Sequence, residues 1–287
     1  MKLKDRVILI FGGGRGLGRT VALFCAREGA RVAVAARSEE DLKETADFVR
    51  SQVGGEARVM SVRCDVTLEQ EVKDAIAKTE KKFGPIFGLV CAAGIYGSIG
   101  PFEETPIDEW IKAIDVNLIG TVRCIQAALH GMKKRHDGRI LLFSGGGQGA
   151  MPRFSSYVAS KGAIGRLTET LGAEFAPHGI YLNAIVPGPV NTRFLDDLLA
   201  AGPEKVGVER YEASIEQKQQ GGKPPEKAGE LAVFLLSTQS IGLYGKTISA
   251  NYDRYWEIED PESVSKSDVF AMRRVVSADG ATRYPDR

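Results

Sequence analysis

The chain has 287 residues, of which 38 are Lys or Arg and 37 are Asp or Glu, so its formal net charge is +1. This balance gives no electrostatic basis for binding nucleic acid or an anionic membrane surface. No apolar run approaches the roughly 20 residues of a membrane span, and the early run Val7–Phe11 is too short for the core of a signal peptide. We expect a cytoplasmic protein.

Short apolar runs alternate with amphipathic stretches along the chain, which is the pattern of βαβ units. We predict an α/β protein with a single-domain Rossmann fold, in which helices flank a doubly wound, parallel, seven-stranded sheet. The predicted strands are Val7–Phe11, Arg31–Ala36, Ala57–Arg63, Ile86–Cys91, Arg139–Ser144, Ile180–Val186 and Lys246–Ser249. The predicted helices are Gly16–Glu28, Glu39–Val53, Leu68–Phe83, Ile107–Arg135, Ser155–Ala176 and Pro225–Leu236, with Ser38 and Thr67 as N-caps.

Two stretches interrupt this alternation. Residues 192–225 are polar and only loosely helical, and they stand where a doubly wound sheet would carry a substrate lid. Residues 251–287 are rich in charged and aromatic residues and have no clear period. We therefore predict a nucleotide-binding catalytic domain over residues 1–250 and a C-terminal tail over 251–287, partly ordered against the body or a partner subunit.

The cysteines and histidines give no sign of a disulfide or a metal centre. Four cysteines lie far apart in predicted helices and strands, which favours buried free thiols: Cys25, Cys64, Cys91 and Cys124. The three histidines do not have the spacing of metal ligands, and no metal is expected: His130, His136 and His178.

Glycines are concentrated directly after the first predicted strand, where the first predicted helix begins. Such a turn lets the backbone approach a pyrophosphate, whose charge is stabilised by free N–H groups at the helix start. The spacing is Gly-x-x-x-Gly-x-Gly, rather than the Gly-x-Gly-x-x-Gly of the commonest dinucleotide motif. The predicted cofactor contacts in this turn are Gly12, Gly14, Arg15, Gly16, Leu17 and Gly18.

The end of the second strand decides which dinucleotide is preferred. A carboxylate there binds the ribose 2′-OH of NAD, whereas an arginine favours the 2′-phosphate of NADP. The chain has Arg37 and Ser38 at this point and no carboxylate, and Arg15 can approach the same phosphate from the glycine turn. Two guanidinium groups suit a dianionic phosphate, so we predict NADP(H) as the cofactor in preference to NAD.

Tyr157 and Lys161 are four positions apart in a predicted helix, which places the phenol and the ammonium on one face. A nearby cation favours the phenolate and lowers the pKa of a tyrosine from its usual value of about 10. The same spacing arises by chance in many helices. It points to chemistry here because the glycine turn precedes it, Ser144 stands 13 residues before Tyr157, and Pro187 and Gly188 follow.

With these motifs in this order, the chain resembles the short-chain dehydrogenase/reductase family from about Asp5 to Ala250. Tyr157 and Lys161 match the catalytic pair of that family, and Asn117 matches the asparagine of its long central helix. The resemblance implies further cofactor contacts at Asp65 and Val66, at Ala92, Ala93 and Gly94, and at Pro187, Gly188, Val190 and Thr192.

The resemblance also implies a mechanism. Tyr157 would exchange a proton with a carbonyl or alcohol oxygen while hydride passes to or from the nicotinamide. Lys161 would bind the nicotinamide ribose, Ser144 would hydrogen-bond the substrate oxygen, and Asn117 would support the supply of protons. Asn117, Tyr157 and Lys161 would thus serve both catalysis and cofactor binding. A homo-oligomer, a dimer or a homotetramer built on the helices that carry Asn117 and Tyr157, is implied as well.

The position of the catalytic serine is the main departure from the family. Most members read Ser-Ser at the end of the fifth strand, and the second serine is catalytic, whereas this chain reads Ser144-Gly145. Counting back from the catalytic tyrosine selects Ser144, but counting forward from Gly138 places Gly145 in that role. Ser144 is the predicted serine, and Gln148 and Ser155 are alternatives.

Two further departures lie near the nucleotide. Phe11 stands where the family usually has threonine, and Cys91 where it usually has asparagine. Both changes remove hydrogen bonds that normally tie the glycine turn to the fourth strand.

The favoured function is an NADP(H)-dependent oxidoreductase for a medium-sized, partly apolar carbonyl or hydroxyl compound. The alternatives are a nucleotide-binding regulator or scaffold with weak or no turnover, and a reductase in nucleotide-sugar or polysaccharide metabolism. Arg153 leaves room for one acidic group on the substrate. The predicted substrate pocket is formed by Tyr96, Ser98, Ile99, residues 151–154, Phe194, Leu195 and Leu198.

Overall fold

The computed structural model describes residues 1–54, 57–145 and 150–272, and these form a parallel sheet of seven strands flanked by helices. The order across the sheet is β3-β2-β1-β4-β5-β6-β7. The strands are β1 (Val7–Phe11), β2 (Arg31–Ala36), β3 (Val59–Arg63), β4 (Ile86–Cys91), β5 (Gly138–Phe143), β6 (Ile180–Val186) and β7 (Thr247–Ser249). The predicted fold class and the seven predicted strands are confirmed, with small differences at the ends of β3, β5 and β7.

The helices are α1 (Gly16–Arg27), α2 (Glu39–Val53), α3 (Glu69–Phe83), α4 (Ile107–Ile114), α5 (Gly120–Arg135), α6 (Ser155–Phe175), α7 (Arg193–Val206), α8 (Val208–Gln220), α9 (Glu226–Leu236) and α10 (Pro261–Lys266). A π-helical turn at Asp115–Ile119 joins α4 to α5. The single helix predicted over Ile107–Arg135 is therefore widened at its centre, a local change that is often found at functional sites.

The segment 192–225 is more regular than predicted. Two helices, α7 and α8, account for most of it, so the prediction of a loosely helical stretch is wrong. Helix α7 is bent at Gly202, whose φ is 81°, and Pro203 follows directly. A glycine and a proline inside the segment interrupt the helical pattern, which explains why the sequence alone understates its order.

The core lies on both faces of the sheet, and β1 shows how the sequence divides it. Ile8 and Ile10 pack on the side of α1, α2 and α9, whereas Val7, Leu9 and Phe11 pack on the side of α3, α5 and α6. Side chains alternate between the two faces of a strand, so a run of five apolar residues fits a strand buried on both sides.

The two predicted helix caps have different outcomes. Ser38 is confirmed as the N-cap of α2, because its hydroxyl accepts the N–H of Asp41 at 3.1 Å. Thr67 does not cap α3, whose N-cap is Leu68. The N–H and hydroxyl of Thr67 instead donate to Asp65 Oδ1 at 2.9 and 2.8 Å, which fixes the turn after β3.

The described part of the tail packs on the body of the protein. Tyr255 is buried, with its ring 5.3 Å from that of Phe234 in α9. The Thr247 N–H donates to the carbonyl of Phe270 at 2.9 Å, so the tail covers the outer edge of β7. A covered edge cannot pair with a strand of another chain.

Candidate active site

The carboxyl ends of six strands face a single cleft of about 1130 Å³. Strands β1 and β4 are neighbours in the sheet although β2 and β3 lie between them in the chain, so the connections diverge to opposite faces at this point. Ligands of doubly wound sheets bind at such switch points. The lining residues directly after the strands are Gly12 (β1), Arg37 (β2), Cys64 (β3), Ala92 (β4), Ser144 (β5) and Pro187 (β6).

The structure brings nearly all of the predicted site residues into this cleft. Asn117 is the exception, because it is buried and does not line the cleft. The predicted residues that line the cleft are Gly12, Gly14, Arg15, Gly16, Leu17, Gly18, Arg37, Ser38, Asp65, Val66, Ala92, Ala93, Gly94, Ser144, Tyr157, Lys161, Pro187, Gly188, Val190 and Thr192.

The glycine turn is packed too closely for side chains at two of its positions. A Cβ on Gly12 would overlap the backbone of Ala93, and a Cβ on Gly18 would overlap the carbonyl oxygen of Gly12. The Arg19 guanidinium donates to the Gly14 carbonyl at 3.0 Å and holds the turn from outside the cleft. The start of α1 therefore faces the cleft with its backbone, and its free N–H groups suit the diphosphate of a dinucleotide.

The far end of the cleft combines positive and negative side chains. Arg37 is exposed at the end of β2 and forms no salt bridge within the described ranges. Arg15 lies 3.5 Å from the carboxylate of Asp41, so its charge is partly shared. Burial acts to raise the pKa of Asp65, but hydrogen bonds from Thr67 and the nearby charge of Arg37 bring that pKa below its ordinary value. Arg37 is thus the cation at this end with the most freedom to bind a phosphate.

The π-helical turn presents Asn117 to the loop after β4. Its Oδ1 accepts the N–H of Ile95 at 2.8 Å, and its Nδ2 donates to the Ile95 carbonyl and the Ser160 hydroxyl, both at 2.9 Å. Ser160 in turn donates to the carbonyl of Tyr157 at 2.7 Å. The side chain of Asn117 therefore ties the β4 loop to the helix of the predicted catalytic pair.

Helix α6 carries Tyr157 and Lys161 to the middle of the cleft. The Lys161 ammonium lies 5.9 Å from the centroid of the Tyr157 ring and donates to the carbonyl of Phe143 at 2.7 Å. A Cβ on Gly94 would be 3.8 Å from that ammonium, so the loop after β4 closes over it. The lysine is buried and held at the end of β5, beside the tyrosine.

Burial dominates the acidity of both groups. It lowers the pKa of Lys161 to about 8 and raises the pKa of Tyr157 above its ordinary value, with a further increase from Tyr96. The expectation that Lys161 lowers the pKa of Tyr157 is not met within the protein itself. The phenol is protonated at neutral pH, as an ordinary tyrosine is, and this is the state in which it can donate a proton.

Aromatic rings surround the Tyr157 side chain on the substrate side. The ring of Tyr96 lies 4.9 Å from that of Tyr157, 5.2 Å from that of Phe154 and 4.8 Å from that of Phe194, each in an edge-to-face arrangement. Of the predicted pocket residues, Tyr96, Met151, Phe194, Leu195 and Leu198 line the cleft. The prediction fails for residues 152–154, which do not line the cleft, and for Ser98 and Ile99, which line a smaller hollow that shares Tyr96 with it.

Comparison with known proteins shows which family has this fold and this cleft. The family model described as short chain dehydrogenase matches residues 6–201. The chain belongs to the short-chain dehydrogenase family. Among curated relatives, it is 35% identical to the short-chain reductase protein NovJ of Streptomyces niveus, over 88% of this chain and 94% of that protein. Members of this family are oxidoreductases that act on alcohols and ketones.

Solved structures agree with this assignment and include both forms of the nicotinamide cofactor. The crystal structure of levodione reductase matches with a TM-score of 0.79 and 28% identity, over 86% of this chain and 96% of that one. NAD⁺-bound xylitol dehydrogenase and an actinorhodin polyketide ketoreductase with NADPH each match with a TM-score of 0.77 and 26% identity. They cover 87% and 86% of this chain, respectively, and 98% of their own. The comparisons thus support a nicotinamide dinucleotide without distinguishing NAD from NADP.

The two departures near the nucleotide compensate each other in this dehydrogenase. Phe11 and Cys91 are both buried and stand opposite each other in the pairing of β1 with β4. The Ala92 N–H donates to the Phe11 carbonyl at 2.8 Å, so the backbone connection persists. An apolar pair replaces the polar pair that is usual in the family, and the pairing of the two strands is regular from Ile8 to Phe11.

The hydroxyl of the predicted serine is bonded to the backbone of α6. The hydroxyl of Ser144 donates to the carbonyl of Lys161 at 3.3 Å, on the side of β5 that packs against α6. Ser155 cannot replace it, because its hydroxyl accepts the indole N–H of Trp110 at 3.2 Å outside the cleft. Gln148, the other alternative, lies outside the described residues.

Gly145 occupies the position opposite the phenol. A Cβ added to Gly145 would lie 4.0 Å from both the Tyr157 hydroxyl oxygen and Pro187 Cδ. A serine hydroxyl, one bond beyond that Cβ, would reach hydrogen-bonding distance of the phenol. The geometry favours the count made forward from Gly138. Gly145 then stands at the position where most members of the family carry the catalytic serine.

Arg153 has a structural role in place of the predicted contact with an acidic group. Its φ is 73°, an unusual value for a residue with a side chain, and its guanidinium donates to the carbonyl of Glu204 at 2.6 Å. A second bond reaches the carbonyl of Lys205 at 3.3 Å. Arg153 therefore ties the end of α7 to the segment before α6, and a cation suits the end of a helix.

Helix α8 supplies cleft residues that sequence reasoning did not predict. Arg210, Ser214 and Gln217 all line the cleft, and their i, i+4, i+7 spacing places them on one helix face. The spacing can be read from the sequence, but it predicts a shared face only if the segment is already known to be a helix.

The described residues lack two kinds of feature. None of their helices is long and apolar enough to cross a bilayer. No group of three or more histidine, cysteine or acidic side chains among them has the arrangement of a metal site.

Proposed function

We propose that the protein is an NADPH-dependent carbonyl reductase that also oxidises the corresponding alcohol. The observation that carries this proposal is the arrangement of Tyr157 and Lys161 in the same cleft as the glycine turn, opposite the aromatic ring of Tyr96. A proton donor, a cation and a dinucleotide cradle are the parts that hydride transfer to a carbonyl requires.

The side chains of the cleft support a separate role for each group in the reaction. A bound nicotinamide would supply or accept hydride, with its diphosphate at the start of α1 and its ribose near Lys161. Tyr157, which is protonated at neutral pH, would donate its proton to the carbonyl oxygen as negative charge develops there. Gly145 offers no hydroxyl to that oxygen, so Tyr157 is the side-chain donor that the described residues aim at it.

The preference for NADPH is supported by the adenosine end of the cleft. Arg37 stands at the end of β2 without a salt bridge among the described residues, and it lines the cleft with Arg15. The Asp41 carboxylate beside Arg15 acts against a phosphate at this end. Arg37 is therefore the residue on which the preference depends.

The first experiment is a fluorescence titration of the full chain with NADPH and with NADH. We expect tighter binding of NADPH, and we expect Arg37→Ala to lower that affinity about ten-fold, the loss of one or two charge-assisted hydrogen bonds, while NADH affinity changes little. Arg50→Ala is the matched control, because this exposed arginine pairs with Asp47 outside the cleft. Equal binding of the two cofactors would contradict the proposed preference.

A nucleotide-binding regulator with weak turnover is the second candidate, and the glycine at position 145 favours it. The two candidates differ in one measurement. NADPH oxidation with a panel of cyclic and aromatic ketones should give turnover for a reductase, whereas a regulator would bind NADPH without oxidising it.

We also propose a homo-oligomer. Helix α4 and the turn before it expose Phe102, Ile107 and Ile111 at 71%, 67% and 54% of their surface, which forms an apolar patch beside the π-helical turn. Light scattering on the purified protein tests this, and Ile107→Lys should shift a dimer or tetramer towards monomer.

A further inference from the structure

The lid segment carries an arginine whose charge is available to a ligand. Arg210 lies on the face of α8 that lines the cleft, and its guanidinium carbon is 5.6 Å from the centroid of the Phe154 ring. Within residues 1–54, 57–145 and 150–272 it forms no salt bridge. A guanidinium over an aromatic ring is oriented by the ring and keeps its N–H edge free for an anion.

The other charged groups of the lid do not compensate Arg210. Asp197 also lines the cleft, but its carboxylate lies 3.8 Å from the Arg193 guanidinium, so these two charges offset each other. Asp196 pairs with Lys218 at 2.8 Å. Neither of these two carboxylates pairs with Arg210, which has no salt-bridge partner among the described residues.

The neighbours of Arg210 on the same face have their hydrogen bonds satisfied. The Ser214 hydroxyl donates to the Arg210 carbonyl at 2.7 Å, and the Gln217 amide donates to Asn191 at 3.0 Å. Arg153 was the residue that the sequence suggested for an acidic group of the substrate. Its guanidinium instead donates to backbone carbonyls at the end of α7. The Ser214 hydroxyl and one N–H of the Gln217 amide are therefore already bonded, whereas the Arg210 guanidinium has no salt-bridge partner among the described residues.

Arg210 is connected to the reacting centre through aromatic contacts. Phe154, beneath the guanidinium, contacts the Tyr96 ring, and Tyr96 contacts Tyr157. Phe154 is fully buried and does not line the cleft, so a flat substrate would lie against the Tyr96 ring, with its carbonyl at the phenol of Tyr157 and its other end at Arg210.

We propose that Arg210 determines substrate specificity by binding a carboxylate on a flat, ring-containing carbonyl substrate. The inference rests on the proposed reductase function and names the substrate class of the same site. The fork of a guanidinium matches a carboxylate with two parallel hydrogen bonds, so the interaction would fix the orientation of the substrate as well as hold it.

A binding experiment tests this without requiring turnover. Benzoate and benzamide have the same ring and differ in charge, and each is titrated calorimetrically into the full chain with NADPH. We expect benzoate to bind at least ten-fold more tightly than benzamide, and Arg210→Gln to abolish that difference. Arg27→Gln is the matched control, because Arg27 stacks on Phe24 at 5.5 Å but does not line the cleft. Equal affinities for benzoate and benzamide, or an unchanged preference in Arg210→Gln, would overturn the proposal.

The corresponding kinetic experiment uses 4-acetylbenzoate and 4-acetylbenzamide as ketones. We expect kcat/KM for the acid to fall at least ten-fold in Arg210→Gln while the value for the amide stays within two-fold. Absence of turnover with both ketones would count against the reductase function, whereas the benzoate titration would still decide the role of Arg210.

Discussion

The two ends of the cleft are built in different ways. At the cofactor end, backbone from short segments directly after the strands forms the wall, and the glycine turn fits against Ala93 so closely that side chains are excluded. At the substrate end, side chains from the β4 loop, the start of α6 and helices α7 and α8 form the wall. Backbone cradles are set by local sequence, whereas a side-chain wall depends on how distant segments pack. The first end can bind a ligand shared by a whole family, and the second can change with the substrate.

The largest effect is expected where the two ends meet, at Tyr157. Tyr157→Phe should lower kcat by about a thousand-fold or more, because it removes the proton donor, and should leave NADPH affinity within two-fold. Tyr96→Phe removes a hydroxyl from the neighbouring ring and should cost less than ten-fold. Steady-state kinetics with NADPH titrations check both variants. Near-full activity in Tyr157→Phe would rule out its role in proton transfer.

The next effect concerns the glycine opposite the phenol. Gly145→Ser and Gly145→Ala carry the same strain, because φ is 131° at this position, but only serine adds a donor. We expect kcat/KM of the serine variant to exceed that of the alanine variant by about ten-fold or more, as for other single donors to a developing oxyanion. Equal activity of the two variants would mean that the carbonyl oxygen already has a second donor.

A smaller effect is expected from loosening the substrate end alone. Arg153→Ala removes the bonds to the carbonyls of Glu204 and Lys205 and should leave the end of α7 more open. We expect KM for the carbonyl substrate to rise several-fold, amide hydrogen exchange to increase over residues 193–206, and NADPH affinity to stay unchanged. Unchanged exchange in α7 would show that the lid is held by its apolar contacts instead.

The smallest effect is on stability and depends on pH. The pKa of Lys161 is about 8 in the folded protein and 10.5 in its ordinary state, so between these values the unfolded chain holds a proton that the folded protein does not. The cost of burying a charged lysine is present below about pH 8 and is relieved as the pH rises, so the lysine contributes a free energy of unfolding that increases over this window.

The measurement is the free energy of unfolding of wild type minus that of Lys161→Met, at about pH 7 and about pH 9.5. The difference is needed because the buried cysteines act in the opposite direction: burial raises the pKa of Cys64 to about 12, and unfolding would let that thiol ionise. We expect the wild type to gain stability relative to the variant at the higher pH. A difference independent of pH would contradict the buried, low-pKa state of Lys161.

The sequence by itself determined the sheet and the cofactor end of the cleft. Apolar runs separated by amphipathic helices predict seven parallel strands, and motifs placed directly after strands meet at the carboxyl edge of the sheet whatever the details of packing. Arg37 and the glycine turn could be placed at this edge for this reason, since each is defined within a few consecutive residues.

Only the tertiary structure decided the substrate end. Counting back from Tyr157 placed the catalytic serine at position 144, and counting forward from Gly138 placed it at position 145. A Cβ built on Gly145 lies 4.0 Å from the Tyr157 hydroxyl, which favours position 145. Arg153 and Arg210 are both arginines near apolar residues in the sequence, but one binds the end of α7 and the other faces the cleft. Which side chains share a wall depends on the angle at which helices pack across the cleft, and no local pattern in the chain encodes that angle.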